Sequence, residues 1–211
     1  MESKIRVACY VDGFNLYHAI NNLGLDHLKW TDLIGLMGAF IQPEKHEIVS
    51  VNYYSALATH YPASAARHEV YLSALRHSGV NVVLGEFKNK PRECRRCGTR
   101  WMGHEEKQTD TNIALGMVEG AYNNRYDAVF LVTGDSDMTP ALALINEMTK
   151  SRSIKLIGPP GRRFGKELCK MAHKTAKIKT VHLERNLFPE QVINNEGKII
   201  CTRPKRYDPP Q

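Results

Sequence analysis

Two hydrophobic rhythms alternate along the chain. Short apolar runs, rich in β-branched residues, occur at 5–11 (IRVACYV), 47–56 (EIVSVNYYSA), 80–87 (VNVVLGEF), 127–133 (DAVFLVT), 154–158 (IKLIG) and 180–183 (TVHL), and each predicts a strand. Between them, apolar residues recur at three- and four-residue spacing over 15–22, 30–40, 63–78, 110–123, 140–150 and 166–176, which predicts helices. Strands alternating with helices imply right-handed βαβ units, and hence an α/β fold with a mainly parallel central sheet and helices on both faces. The run DAVFLV lacks polar alternation, as expected of a strand buried on both sides. No internal repeat or low-complexity linker divides the pattern, which predicts one domain over residues 1–188. The stretch INNEGKIICTRPKRYDPPQ is polar and Pro-rich, so 189–211 is expected to be a tail that wraps the surface or frays.

Open sheets of this kind bind ligands outside the carboxyl ends of their strands, where the strand order reverses. The first and fourth predicted strands are the expected neighbours at that point. Asp12 directly follows the first, in YVDGFNLY, and Asp135 and Asp137 follow the fourth, in LVTGDSDMTP. A helix cap accounts for one such aspartate, since Asp and Ser favour the N-cap and Pro the first turn. Asp110 lies three and four residues before Ile113 and Ala114, at the start of its helix's buried face and near the positive end of the macrodipole. Four neighbouring carboxylates would repel one another unless a cation lay between them. Hard oxygen donors suit Mg²⁺ or Mn²⁺, and a pair of such ions about 4 Å apart promotes phosphodiester hydrolysis.

Charge sharpens that picture. The chain has 211 residues, 42% hydrophobic and 24% charged, with a formal net charge of +7. Ten Lys or Arg fall between Lys150 and Lys179 against one acid, Glu167, and Lys88, Lys90, Arg92, Arg95, Arg96 and Arg100 form a second cluster. Such stripes are either solvated faces or the footprint of a phosphate-backbone binder, and nucleic acid is the favoured partner. No apolar stretch approaches the roughly 20 residues of a membrane helix. MESKIRVACYVDG has no signal-peptide hydrophobic segment, and five cysteines do not form the pattern of a secreted disulfide framework. The expected compartment is the cytoplasm.

YVDGFNLY, EEKQTDTNIALGMV and LVTGDSDMTPAL, in that order and spacing, resemble the three acidic motifs of the NYN family, relatives of the PIN-domain ribonucleases. The likeness extends over about residues 5 to 185. It includes GPPGR after the fifth strand and a Cys-x-x-Cys insert at about 88–104, as in bacterial members of the LabA-like branch. The resemblance implies a PIN-like three-layer α/β/α sandwich and metal-dependent cleavage of single-stranded or structured RNA. It assigns Asp12, Asp110, Asp135 and Asp137 as metal ligands in a four-aspartate site. The implied reaction is in-line attack of water on a backbone phosphate, leaving a 5′-phosphate and a 3′-hydroxyl. Asn15 matches the polar residue of the family's DGFN, where its amide orients a water or phosphate oxygen, or else caps the following helix. Thr133 and Ser136 are candidate hydrogen-bond donors to the carboxylates. Arg162 and Arg163 are candidate phosphate ligands, unless GPPGRRFGK serves only as a turn. The sequence departs from the family at Gln108 and Thr109, where many members carry Gly-Val.

Within the insert, Cys94 and Cys97 have zinc-knuckle spacing, but a structural Zn²⁺ requires two more ligands. His104, Cys201 or a second protomer are the candidates, and the alternative is a metal-free hairpin tip. Arg95, Arg96, Arg100 and Trp101 make the insert a candidate RNA clamp, with Trp101 offering a stacking face. An exposed Phe or Tyr patch would allow a homodimer. A haloacid-dehalogenase-type phosphatase requires a second Asp where this chain has Phe14, and a sugar-nucleotide transferase leaves Asp12 and Asp110 unexplained. The rival from another class is a non-catalytic RNA-binding module on the same fold.

Overall fold

The structure is a computed structural model that describes residues 3–148 and 152–210. Its centre is a seven-stranded sheet of order β4-β3-β2-β1-β5-β6-β7, with a separate β8-β9 hairpin. The strands are β1 (Ile5–Asp12), β2 (His46–Ala56), β3 (Asn81–Glu93), β4 (Arg100–Lys107), β5 (Ala128–Val132), β6 (Ser153–Gly158), β7 (Lys174–Lys177), β8 (Gln191–Ile193) and β9 (Ile199–Thr202). Every pairing in the large sheet is parallel except β3 with β4. The helices are α1 (Gly13–Asn21), α2 (Leu33–Gly38), α3 (Pro62–His77), α4 (Thr109–Tyr122), α5 (Thr139–Met148), α6 (Lys166–Met171) and α7 (Thr180–Glu184).

The two-residue period of β1 creates the three layers. Val7, Cys9 and Val11 pack on one face with α1, α2, α3 and α7, whereas Ala8 and Tyr10 pack on the other with α4, α5 and α6. β5 divides in the same way, Phe130 facing the first core and Val129 and Leu131 the second. No described helix is long and apolar enough to cross a membrane.

Several elements differ from expectation. TVHL forms helix α7, because Leu183 is buried while Val181 faces outward, and the last strand of the sheet is the polar segment KTAK of β7. The helix expected over 166–176 therefore stops at Met171. The helix expected over 30–40 is broken at Thr31, and Asp32 starts α2 by accepting a hydrogen bond from Ile34 N at 2.9 Å. The insert is a long antiparallel hairpin, β3 and β4, whose strand residues are largely polar because few of them meet the core. The C-terminal segment is not merely a wrapping: Pro189 O accepts from Trp30 Nε1 at 2.9 Å, and Val192 and Tyr207 are buried in the first core.

The basic stripe divides among several jobs. Lys155 Nζ donates to Phe40 O at 2.6 Å above the Phe130 ring, and Arg152 Nε donates to Tyr126 O at 3.1 Å. Lys174 and Lys177 lie on the edge strand β7, where lysines discourage pairing with another sheet. Lys150 lies outside the described residues.

Candidate metal centre

The parallel pairing of β1 with β5 brings Val11 opposite Val132, so both strands leave the sheet at the same place. Asp12 ends β1 and caps α1, its Oδ1 accepting from Asn15 N at 2.9 Å. Asp135 caps the 3-10 turn Ser136–Met138, its Oδ1 accepting from Asp137 N at 3.1 Å. Asp110 stands in the first turn of α4. Ligand oxygens of Asp110, Asp135 and Asp137 all lie within 4.8 Å of one another. Asp12 is not one of these three; it is the most buried of the four aspartates, 4% exposed, and near enough to feel the Asp110 and Asp135 charges.

A chain of hydrogen bonds fixes Asp12. Thr133, wholly buried at the end of β5, donates from Oγ1 to Asp12 Oδ2 at 2.9 Å and accepts from Asp135 N at 3.1 Å. Asn15 is not the cap of α1: its side-chain oxygen accepts from Gly134 N at 3.1 Å and ties the two exit loops together. Gly13 is required by crowding, since a Cβ there would lie 2.5 Å from the carbonyl oxygen of Tyr54. Ser136 is exposed and makes no bond to these carboxylates, unlike Thr133.

Electrostatics favour a cation at this point. Burial pushes the Asp12 carboxyl up to about 6, against the bonds from Asn15 and Thr133, with the Asp110 and Asp135 charges adding to the rise. Asp110 is also raised, first by burial and then by Asp135, Glu106 and Asp137. Among the described residues, no Lys or Arg forms an ion pair with any of the four aspartates. A hard divalent cation fits this all-oxygen donor set.

Glu106 was not singled out from the sequence. Its carboxylate accepts from the backbone N–H of Thr109 at 3.0 Å and from the Thr109 hydroxyl, bracing the start of α4. Its signal was its place three residues before the helix, where acceptors satisfy free N–H groups. Gln108, at the family's Gly position, has φ +77°, a conformation for which glycine carries no Cβ penalty.

The basic candidates lie at two distances. Arg162 and Arg163, exposed in the loop after β6, pass close to Gly134; burial lowers the pKa of His18 on α1, and the Arg162 charge lowers it further. Arg95 and Arg96 are exposed at the hairpin tip, whereas Arg100 is paired with Glu93 at 2.8 Å. Trp101 lies nearer the sheet, half-exposed at the side of an aromatic cavity.

At the tip, Cys94 N donates to Thr99 O and Gly98 N to Cys94 O, both at 2.8 Å. The described residues contain no cluster of three or more His, Cys, Asp or Glu around this pair. His104 is stacked on His60 instead, and Cys201 belongs to β9. Among the described residues, Cys94 and Cys97 therefore have no third His, Cys, Asp or Glu beside them, whereas a structural zinc takes four ligands.

Residues 6–179 match the family model described as the NYN domain. The chain belongs to the NYN domain family. The NYN match spans all four aspartates and the sheet from β1 to β7, and it brings a PIN-like nuclease fold. A relative from Pseudomonas putida (strain DSM 28022 / S16), 6-hydroxy-3-succinoylpyridine 3-monooxygenase HspA, is 28% identical over 207 residues. The match covers 80% of this chain and 65% of the relative, so the NYN protein spans less than two-thirds of that relative's length. A solved structure of a protein of unknown function, VPA0982 from Vibrio parahaemolyticus RIMD 2210633, is similar with a TM-score of 0.59 and 25% identity. It covers 89% of this chain and 100% of its own.

Proposed function

We propose that this NYN domain is a divalent-metal-dependent ribonuclease that hydrolyses RNA phosphodiester bonds. The observation that carries this reading is the meeting of Asp110, Asp135 and Asp137, beside the buried Asp12, with none of the four ion-paired to a Lys or Arg among the described residues. Asp12, Asp110, Asp135 and Asp137 would hold Mg²⁺ or Mn²⁺, which when bound activates water and offsets charge building on the scissile phosphate. Thr133 and the Asn15 N–H hold the two Asp12 oxygens in place, and the Asn15 side chain keeps the β1 and β5 exit loops in register. Arg162 and Arg163 grip flanking phosphates from the loop after β6. Water adds its oxygen to phosphorus, the bond from phosphorus to the 3′ oxygen breaks, and that oxygen takes up a proton. The products are a 5′-phosphate and a 3′-hydroxyl.

End-labelled single-stranded and structured RNAs, incubated with Mn²⁺, Mg²⁺ or EDTA, test this reading. Cleavage is expected with metal and not with EDTA. The Asp135→Asn/Asp137→Asn double variant should cleave at least about a thousandfold more slowly, equivalent to about 4 kcal/mol of transition-state stabilisation, while still binding RNA. Binding without cleavage under every metal would favour the non-catalytic RNA-binding module.

A further inference from the structure

We propose that the aromatic cavity beside the carboxylates is a base pocket, which takes one unpaired nucleobase of the RNA strand. The inference rests on the ribonuclease reading and names the part of the substrate that this chain grips.

The cavity, about 570 Å³, adjoins the metal centre because Gly13 and Phe14, the two residues after Asp12, form part of its wall. That volume falls within the usual range of ligand sites. Its sides are rings. His60 and His104 stack with centroids 3.8 Å apart and planes 13° apart, and Phe87 meets both Phe14 and His60 edge-on, at 5.8 and 5.0 Å. Tyr61, tilted against His60 at 4.5 Å between centroids, and Trp101, also lining it, remain 64% and 49% exposed, so folding leaves part of each ring open to a further ring. Tyr207, from the C-terminal segment beyond the NYN match, completes the lining.

Charge separates ring from phosphate. Among the described residues one Lys or Arg lines the cavity, Lys29, whose ammonium is already bonded to Asn21 and Asp26. His68 is neutral at physiological pH, because burial lowers its pKa to about 4. Among the described residues a phosphate would find no free Lys or Arg there, whereas a neutral planar ring finds stacking faces and the polar groups of Ser55 and His68. Free cations stand outside, on Arg95 and Arg96 of the same hairpin and on Arg162 and Arg163 beside the carboxylates. Stacking rings joined to a cationic path are how proteins hold single-stranded nucleic acid.

The test is RNA binding in the Asp135→Asn/Asp137→Asn background with Mg²⁺, which keeps the strand intact. A uridine decamer is compared with an abasic ribose-phosphate decamer of equal charge. Trp101 reports directly: of the chain's two tryptophans, Trp30 is fully buried and Trp101 faces the cavity. The uridine decamer is expected to bind about 5- to 100-fold more tightly and to quench Trp101. Trp101→Ala and His104→Ala should each shrink that preference without changing the affinity for the abasic decamer. Equal affinities for the two decamers in the unsubstituted hairpin would overturn the base pocket, while metal-dependent cleavage, read separately, would still stand. Absence of both RNA binding and cleavage would overturn the ribonuclease reading and this inference together. Quenching by a free hydroxypyridine but by neither decamer would also overturn it, in favour of a small-ring pocket of the class named for the pseudomonad relative.

Discussion

Asp12→Asn is expected to abolish RNA cleavage and yet to raise the melting temperature of the metal-free protein at pH 7.5. The carboxyl is raised from its ordinary 3.8 to about 6 by burial and by the Asp110 and Asp135 charges. The folded state therefore holds this proton more tightly than the unfolded chain does. Its contribution to stability is full below about pH 4 and is lost as pH rises through 6, a swing of about 3 kcal/mol at most. Asparagine carries no charge to bury, and its carbonyl still accepts from Asn15 N, so the cap of α1 survives. The gain should be small at pH 4.5 and about 1–2 kcal/mol at pH 7.5, after allowing for the altered bond to Thr133. Thermal melts of both proteins in EDTA at the two pH values check it. An equal shift at both pH values, or retained cleavage, would refute the assignment.

Thr133→Val is the second large effect. Valine matches threonine in shape but cannot donate to Asp12 Oδ2 or accept from Asp135 N, and the site is closed to water at this residue. Two polar groups lose a partner, at about 1–3 kcal/mol each where water does not replace it. The variant should lose about 2 kcal/mol of stability, and metal affinity or cleavage should fall about 10- to 100-fold, as when a ligand's supporting partner is removed. Thr133→Ser, which keeps the hydroxyl, should recover most of both. Denaturant melts and cleavage rates measured across Mn²⁺ concentration separate the two losses. Wild-type cleavage in the valine protein would show that Asp12 needs no such support.

The parts of this site legible in the sequence are those attached to doubly buried strands. IRVACYV and DAVFLV are apolar because both faces are covered, so the hydrophobic pattern alone locates their ends, just before Asp12 and a short turn before Asp135. Asp110 was legible through Ile113 and Met117, which mark the buried face of α4. β4 and β7 were hidden because they lie at the edges of the sheet, where RWMGHEEK and KTAK stay polar. TVHL misled through its β-branched residues, since tertiary packing of Leu183 outweighs local preference. Of the aromatic cavity only Trp101 was legible, as a stacking face on the insert: Phe14, Tyr61, Phe87, Trp101 and Tyr207 meet only after β2, β3, β4 and the C-terminal segment have docked.

The most direct measurement is calorimetric titration of metal-free protein with Mn²⁺ at pH 7.5 and pH 5.0, with the Asp135→Asn/Asp137→Asn variant alongside. Because Asp12 and Asp110 are both raised and must release protons to bind a cation, saturable binding is expected at pH 7.5, weaker binding at pH 5.0, and none in the variant. Absence of binding by the wild type, or binding that the variant retains, would contradict a metal centre built from these carboxylates.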